Sequence, residues 1–197
     1  MATSRSARFV GTSGAIQFPE TAKKIPKCLQ PGFRPSKSVA EEFAAHGCHV
    51  TRDFGDDRLT ALAKYTENDA YDDINKKMRA YSHKEWENTV FYLNEGIKAL
   101  PKPRGRRPIL WRGMDAVKVC KGQKIMFKDF TSCTKSRVVA QRFAGESGAL
   151  FEIRTWSLGA DIQRLSRYPG EEEILLAPYA QFIVTEIKGR TIVLDAC

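Results

Sequence analysis

The chain is organised around one stretch near its end, Tyr168-Pro169-Gly170-Glu171-Glu172-Glu173-Ile174-Leu175-Leu176-Ala177-Pro178. Its Pro-Gly pair is a turn signal, and the short apolar run after the three carboxylates predicts a buried strand. Side chains alternate between the faces of a strand, so we expect Glu171 and Glu173 to point one way and Glu172 the other. The stretch predicts either a carboxylate pair with a chemical role or a solvated acidic turn before an edge strand.

Length and composition bound the class of protein. A chain of 197 residues, 42% hydrophobic and 28% charged, fits a folded soluble domain that can bury a core. The formal net charge of +9 favours acidic or phosphate-bearing partners but does not by itself establish nucleic-acid binding. The cysteines are scattered without a close pair, which predicts reduced thiols in a cytosolic environment: Cys28, Cys48, Cys120, Cys133 and Cys197.

Membrane and metal sites are not expected. No apolar run is long enough to span a membrane, and the first residues lack the apolar core of a secretory signal. An organelle transit peptide, a bacterial secretion signal or a plain arm all fit these first residues. His46, Cys48 and His49 are potential metal ligands, but no second cluster completes a tetrahedral site.

The distribution of prolines and of periodic apolar residues along the chain predicts an arm followed by one domain. Prolines and the lack of a sustained period predict a flexible N-terminal arm over residues 1–37, and residues 38–197 form the domain. Its first part, 38–100, is a helical lobe. Helices are predicted at 38–45 and 56–65, and two further stretches place apolar residues on one helical face: Ala70, Ile74, Met78 and Tyr81, then Trp86, Val90, Leu93 and Ile97.

A basic loop at 101–108 separates this lobe from a sheet core at 108–197, and it is either a solvated linker or a patch for an acidic partner. The core has one predicted helix, at 135–143, and six predicted strands, at 109–113, 124–131, 149–156, 172–176, 181–187 and 191–194. Helices followed by strands predict an α+β fold with an antiparallel sheet.

Three polar features stand in order at the ends of predicted strands. They are the arginine of Leu110-Trp111-Arg112-Gly113, the hydroxyls of Phe130-Thr131-Ser132-Cys133-Thr134, and the Glu171-Glu172-Glu173 run. The fork of an arginine matches a phosphate diester, and a carboxylate can accept from a ribose hydroxyl and stabilise positive charge on the sugar. Together they suit a phosphate-bearing substrate with ribose hydroxyls.

These motifs resemble the Arg-Ser-Glu class of mono-ADP-ribosyltransferases, which includes vertebrate ecto-enzymes, bacterial toxins and effectors, and phage enzymes. The resemblance covers residues 59–194. Trp111-Arg112-Gly113 resembles the first motif, residues 130–134 the Ser-Thr-Ser motif, and residues 171–178 the Glu-x-Glu motif with its following strand. Cys133-Thr134 replaces Thr-Ser, while the leading serine is kept.

The resemblance implies two packed antiparallel sheets, with NAD in the cleft between them. It implies that Arg112 binds NAD phosphate and ribose and that the Gly113 backbone lies near the nicotinamide amide. Ser132 is expected to hold the catalytic glutamate and the nicotinamide ribose. Phe143, one helix beyond Ser132, is expected either to stack on nicotinamide or to be a core contact of its own helix.

The same resemblance implies different roles for Glu173 and Glu171. Glu173 is expected to bond the ribose 2′-hydroxyl and stabilise the oxocarbenium ion as nicotinamide leaves. Glu171 is expected to accept a proton from the incoming guanidinium, which is a poor nucleophile because its pKa exceeds ~12. Tyr168 is a candidate for recognition of the acceptor.

The implied function is mono-ADP-ribosylation of arginine on a target protein, with NAD as co-substrate and no metal, by a toxin, an effector or a phage enzyme. Delivery into another cell without a Sec signal is expected. An inhibitor or immunity protein stays open as a partner. So do three other functions: NAD glycohydrolysis, ADP-ribosylation of a nucleic acid, and a non-catalytic nucleic-acid-binding module.

Overall fold

A computed structural model describes residues 56–66, 68–100, 107–156 and 159–197. The predicted arm at 1–37, the predicted helix at 38–45 and most of the basic loop lie outside the described residues. Arg107, the one described arginine of that loop, donates to the backbone oxygen of Trp156, and its guanidinium lies 4.7 Å from the centroid of the indole ring. At this position the loop is therefore packed against the folded chain.

Three helices form the first described part, as the apolar spacing predicts. They are α1 (Asp56–Tyr65), α2 (Asn68–Arg79) and α3 (Glu87–Ala99), with a 3₁₀ turn at Lys84–Trp86. Their shared face is buried, and the predicted residues on it are Ala70, Ile74, Met78, Trp86, Val90, Leu93 and Ile97.

Tyr81 is the exception among the predicted face residues, because it lies beyond the end of α2 and is 53% exposed. Two backbone hydrogen bonds close the end of the helix. Ser82 N–H donates to the Lys77 oxygen at 2.9 Å, and Tyr81 N–H donates to the Met78 oxygen at 3.1 Å. This closure puts Tyr81 in the left-handed region, with φ of 55°. The prediction that Tyr81 shares the buried face is therefore wrong.

The second part is a sheet with one helix, α4 (Arg137–Ala144). The strands are β1 (Leu110–Met114), β2 (Lys124–Phe127), β3 (Thr131–Thr134), β4 (Ala149–Ile153), β5 (Gly159–Asp161), β6 (Glu173–Leu176), β7 (Ala180–Lys188) and β8 (Thr191–Ala196). Their order is β2-β7-β8-β4-β1-β3-β6-β5. The α+β class is confirmed, whereas the strand predicted at 124–131 ends at Phe127 and a separate strand begins at Thr131.

The expected pair of antiparallel sheets needs correction in two details. All eight strands belong to one continuous sheet, because among the described residues β1 meets β3 at a single pair, Trp111 and Thr134. One neighbouring pair, β4 and β8, runs parallel rather than antiparallel. The junction at Trp111 and Thr134 divides five strands from the short β3-β6-β5 group.

The β3-β6-β5 group lies between two hydrophobic cores. On β6, Leu175 packs in the core of the helical lobe, while Ile174 and Leu176 pack in the core of the five-stranded part. Side chains alternate along a strand, so one strand contributes to both cores. The start of β6 is consequently packed on one face against the helical lobe and on the other against the core of the five-stranded part.

The close packing of α4 on β1 requires glycine at position 113. A Cβ built on Gly113 would lie 1.9 Å from the Ala140 oxygen and 2.5 Å from the Ala144 nitrogen, both backbone atoms of α4. Backbone atoms of a helix capped at Ser136 cannot move aside without moving the whole element. The glycine of the first motif therefore has a packing reason of its own.

We expect Gly113→Ala to destabilise the fold by about 3 kcal/mol or more, since overpacking against backbone displaces the helix. In a chain of this size the loss lowers the melting temperature by on the order of 10 °C. Gly170→Ala is the matched control, because nothing lies within 4 Å of its added Cβ. Equal melting temperatures for the two variants in a thermal denaturation scan would contradict this packing account.

Candidate active site

A pocket opens where β1 and β3 diverge, beside the N-terminal end of β6. Six of the seven residues singled out from the sequence lie in its wall: Arg112, Gly113, Ser132, Phe143, Glu171 and Glu173. The other lining residues are Trp111, Cys133, Thr134 and Ala140. Tyr168 is not among them, and its side chain is 42% exposed at the turn before the glutamates.

Arg112 is fixed in the wall of the pocket by two contacts. Its Nη1 donates to the backbone oxygen of Ser132 at 2.7 Å, and its guanidinium lies 5.8 Å from the centroid of the Phe127 ring. The residue is 7% exposed, and its buried Nε has no hydrogen-bond partner. A buried N–H without a partner costs about 1–3 kcal/mol, so an anionic acceptor in the pocket would remove that cost.

Glu173 begins β6 and is held by the sheet on both sides. It pairs with Thr134 of β3, and its backbone oxygen accepts from Ile162 N–H at 3.0 Å. The residue is 4% exposed. The position of this carboxylate is therefore set by backbone pairing and not by a flexible loop.

Glu171 reaches the pocket from a turn, which corrects the predicted strand alternation. It ends the 3₁₀ turn Pro169–Glu171, and Glu172 follows with φ of 49° and ψ of 47°, in the left-handed region. Because β6 begins only at Glu173, the alternation of side chains does not apply to Glu171. The left-handed residue lies between the two glutamates, and both of them line the same pocket.

Two hydroxyl side chains of β3, those of Ser132 and Thr134, lie on the same face of the sheet as Glu173. Ser132 is opposite Leu175 and Thr134 is opposite Glu173 in the β3–β6 register. Residues two apart on a strand share a face, as do residues directly opposite. Thr134 was not predicted as a site residue, although its position two residues after Ser132 in a strand motif was a usable signal. Its Oγ1 accepts from Ser136 N–H at 2.9 Å.

Cys133, the departure from the family motif, is a buried thiol between these hydroxyls. The pKa of Cys133 is raised to about 12, chiefly by burial, with Arg112 opposing the rise and the Glu173 carboxylate adding to it. The thiol is therefore protonated at neutral pH and inert as a nucleophile. Its side chain packs in the core of the five-stranded part, so the substitution changes packing behind the pocket and leaves the hydroxyl face intact.

Two aromatic rings contribute to the pocket wall. Phe143 comes from α4 and is half-buried. Trp111, which was not predicted as a site residue, lies under the guanidinium of Arg137 at 5.2 Å from the ring centroid. The pocket thus combines a cation, hydroxyls, two carboxylates and aromatic surface, a set that suits a nucleotide carrying phosphate and ribose groups.

The described part of the chain gives no cluster of three or more His, Cys, Asp or Glu side chains that could hold a metal. None of its helices has both the length and the apolar character that crossing a lipid bilayer requires.

A family model described as NAD:arginine ADP-ribosyltransferase matches residues 32–194. The chain belongs to this family. Ecto-ADP-ribosyltransferase 5 of Mus musculus is 28% identical to it over 173 residues, which cover 78% of this chain and 55% of the mouse protein. The chain thus spans about half of the length of this relative.

Solved structures share the fold. The eukaryotic mono-ADP-ribosyltransferase ART2.2 aligns with a TM-score of 0.66 and 24% identity, over 80% of this chain and 74% of its own. The Vis toxin from Vibrio splendidus aligns with a TM-score of 0.63 and 21% identity, over 91% of each chain. A mutant of ART2.2 has been solved with NAD, and Vis has been solved with agmatine.

Proposed function

We propose that this protein transfers ADP-ribose from NAD to an arginine side chain of a target protein and releases nicotinamide. The observation that carries the proposal is the meeting of Arg112, Ser132, Glu171 and Glu173 in one pocket, although they come from separate parts of the chain. Membership of the NAD:arginine ADP-ribosyltransferase family supports the same activity.

On the NAD side, Arg112 is the phosphate and ribose anchor. Its fixed guanidinium and its unpartnered Nε suit an anionic acceptor, so the residues present fit the co-substrate. Ser132 lies on the same face of the sheet as Glu173, and these two side chains hold the nicotinamide ribose. Phe143 offers a half-buried ring for nicotinamide, and the Gly113 backbone lies beside it in the wall.

Glu173 and Glu171 divide the reaction between them. Glu173 accepts from the ribose 2′-hydroxyl and stabilises positive charge on the sugar as the bond to nicotinamide breaks. A guanidinium nitrogen of the acceptor forms the new bond to the same ribose carbon. Its proton passes to the Glu171 carboxylate, and nicotinamide leaves as a neutral molecule. No metal and no covalent enzyme intermediate enter this scheme.

The acceptor approaches across the turn that carries Glu171. Tyr168 is exposed on this turn, three residues from Glu171, and its backbone oxygen accepts from Glu171 N–H at 2.9 Å. An exposed aromatic ring can contact the aliphatic stem and the guanidinium of an arginine. The complex of the Vis toxin with agmatine, a small guanidine, supports a guanidine acceptor here as well.

We propose residues 38–197 as the catalytic domain, with 1–37 as an arm. Cys120, Cys133 and Cys197 are free thiols among the described residues, which supports a reducing cytosol and a toxin or effector role. The mouse relative is named an ecto-enzyme, which makes an extracellular site of action the competing proposal.

We expect Glu171→Gln to retain NAD cleavage and to lose transfer to arginine. Loss of the base lowers transfer by about 100-fold, while water still accepts ADP-ribose at a rate within about threefold of the parent. Free nicotinamide and protein-bound ADP-ribose, measured in parallel, separate the two activities. Glu172→Gln is the matched control, because Glu172 is adjacent in sequence but is not among the residues that line the pocket.

Transfer at the parental rate by Glu171→Gln would remove Glu171 from the acceptor side. A dead Glu172→Gln variant would show that the wrong member of the acidic run has been assigned.

A further inference from the structure

The segment that carries Tyr168 and Glu171, residues 162–172, is called here the glutamate loop. Its first half is attached to the helical lobe, because Ile162 and Leu165 are buried in the core of that lobe. Arg167 N–H also donates to the hydroxyl of Thr66 at 3.2 Å. These contacts, together with the bond from Ile162 N–H to the Glu173 oxygen at 3.0 Å, hold the loop from its β5 end to Arg167.

Lys135 contacts both ends of the glutamate loop. At the β5 end, its Nζ donates to Asp161 Oδ2 at 3.0 Å and to Gln163 Oε1 at 2.9 Å. At the β6 end, its backbone N–H donates to the Glu172 oxygen at 3.3 Å. Asp161 Oδ1 in turn accepts from Gln163 N–H at 3.0 Å, so the ammonium group joins a closed set of bonds.

Resting on the proposed function above, we propose that Lys135 is a positioning residue for the acceptor step. Its side chain holds the start of the glutamate loop and thereby sets the distance between Glu171 and the sugar. Lys135 directly follows Thr134, which lines the pocket and pairs with Glu173. The loop is therefore tied to the same strand, β3, that holds Glu173.

The Lys135 side chain acts on Glu171 and not on Glu173. Glu173 is held by its pairing with Thr134 and by the Ile162 N–H bond, neither of which involves the Lys135 side chain. Glu171 lies in the turn outside the strand and depends on the course of the loop. Loss of the ammonium group therefore changes the arginine step more than the cleavage of NAD.

The expected effect is one of geometry rather than of stability. The side chains of Lys135 and Asp161 are 28% and 44% exposed, so solvent screens their attraction. Removing the ammonium group should change the melting temperature by no more than about 2 °C. A displacement of a catalytic group by an ångström can nevertheless lower a rate by on the order of 100-fold.

The test compares Lys135→Met with Lys98→Met, a lysine of α3 paired with Glu95 at 2.9 Å and remote in sequence from the loop. Nicotinamide release and ADP-ribose transfer to arginine are measured on the full chain. We expect Lys135→Met to lower transfer by about tenfold while NAD cleavage stays within about twofold. Lys135→Arg, which keeps a cationic donor, should restore most of the transfer, and Lys98→Met should match the parent.

Amide hydrogen exchange of the glutamate loop is the second readout, and it needs no activity. Faster exchange in Lys135→Met than in the parent and in Lys98→Met supports the role of Lys135. Unchanged exchange, an unchanged ratio of transfer to cleavage, or an equal fall in both activities with a lower melting temperature would overturn it. If the parent cleaves no NAD, the proposed function fails, and the exchange result alone decides the role of Lys135.

Discussion

Glu173→Gln is expected to abolish both nicotinamide release and transfer of ADP-ribose. The amide keeps the shape of the side chain and loses the charge that stabilises the oxocarbenium ion. One electrostatic contact of this kind contributes ~3–4 kcal/mol, so both rates should fall by about 10²–10³-fold. Glu173 is buried in the pocket wall, where the low dielectric strengthens this contact.

Steady-state release of nicotinamide and incorporation of label into protein are the two measurements. Glu95→Gln is the control, because Glu95 lies on α3 in an exposed pair with Lys98. Near-parental nicotinamide release by Glu173→Gln would mean that charge at this position does not act on the sugar. Loss of transfer alone would give Glu173 the role that we propose for Glu171.

Arg112→Ala should weaken NAD binding by on the order of 100-fold, because charge-assisted bonds to phosphate are lost and the buried anion is left without its partner. Isothermal titration calorimetry with NAD measures the effect directly. Since Arg112 also bonds Ser132 and packs on Phe127, Arg112→Lys serves as a second variant that keeps the charge and loses the fork.

We expect Arg112→Lys to bind NAD more weakly than the parent, by about tenfold, with the fold intact. Arg154→Ala is the control, because Arg154 is an exposed cation paired with Glu152 on β4. NAD affinities equal to the parent in both Arg112 variants would show that the first motif does not bind the phosphate groups.

Much of the fold follows from local patterns in the sequence. The apolar spacing predicts α1, α2 and α3, since a period of 3.6 residues marks a buried helical face. The left-handed residue Tyr81 after the end of α2 could not be predicted, because a left-handed closure normally favours glycine or asparagine. Strand β5 was missed for a related reason: Gly159–Asp161 is three residues long and too short to show an alternation.

The placement of a site residue could be predicted where its motif coincides with a single strand. The three polar features were predicted at strand ends, and Arg112, Ser132 and Glu173 do lie on strands. The conformation of Glu171 was not predictable, because the left-handed Glu172 depends on bonds formed by the folded turn. The contact of Lys135 with Asp161 spans 26 residues and arises only from the pairing of β3 with β6 and of β6 with β5.

The most direct test of the central claim is to incubate the protein with cell lysate and NAD labelled in the ADP-ribose part, and then map the modified sites by mass spectrometry. The account predicts ADP-ribose attached to arginine side chains of protein, with the signal lost in Glu173→Gln and Glu171→Gln. Label found only as free ADP-ribose, or attached only to nucleic acid, would contradict it.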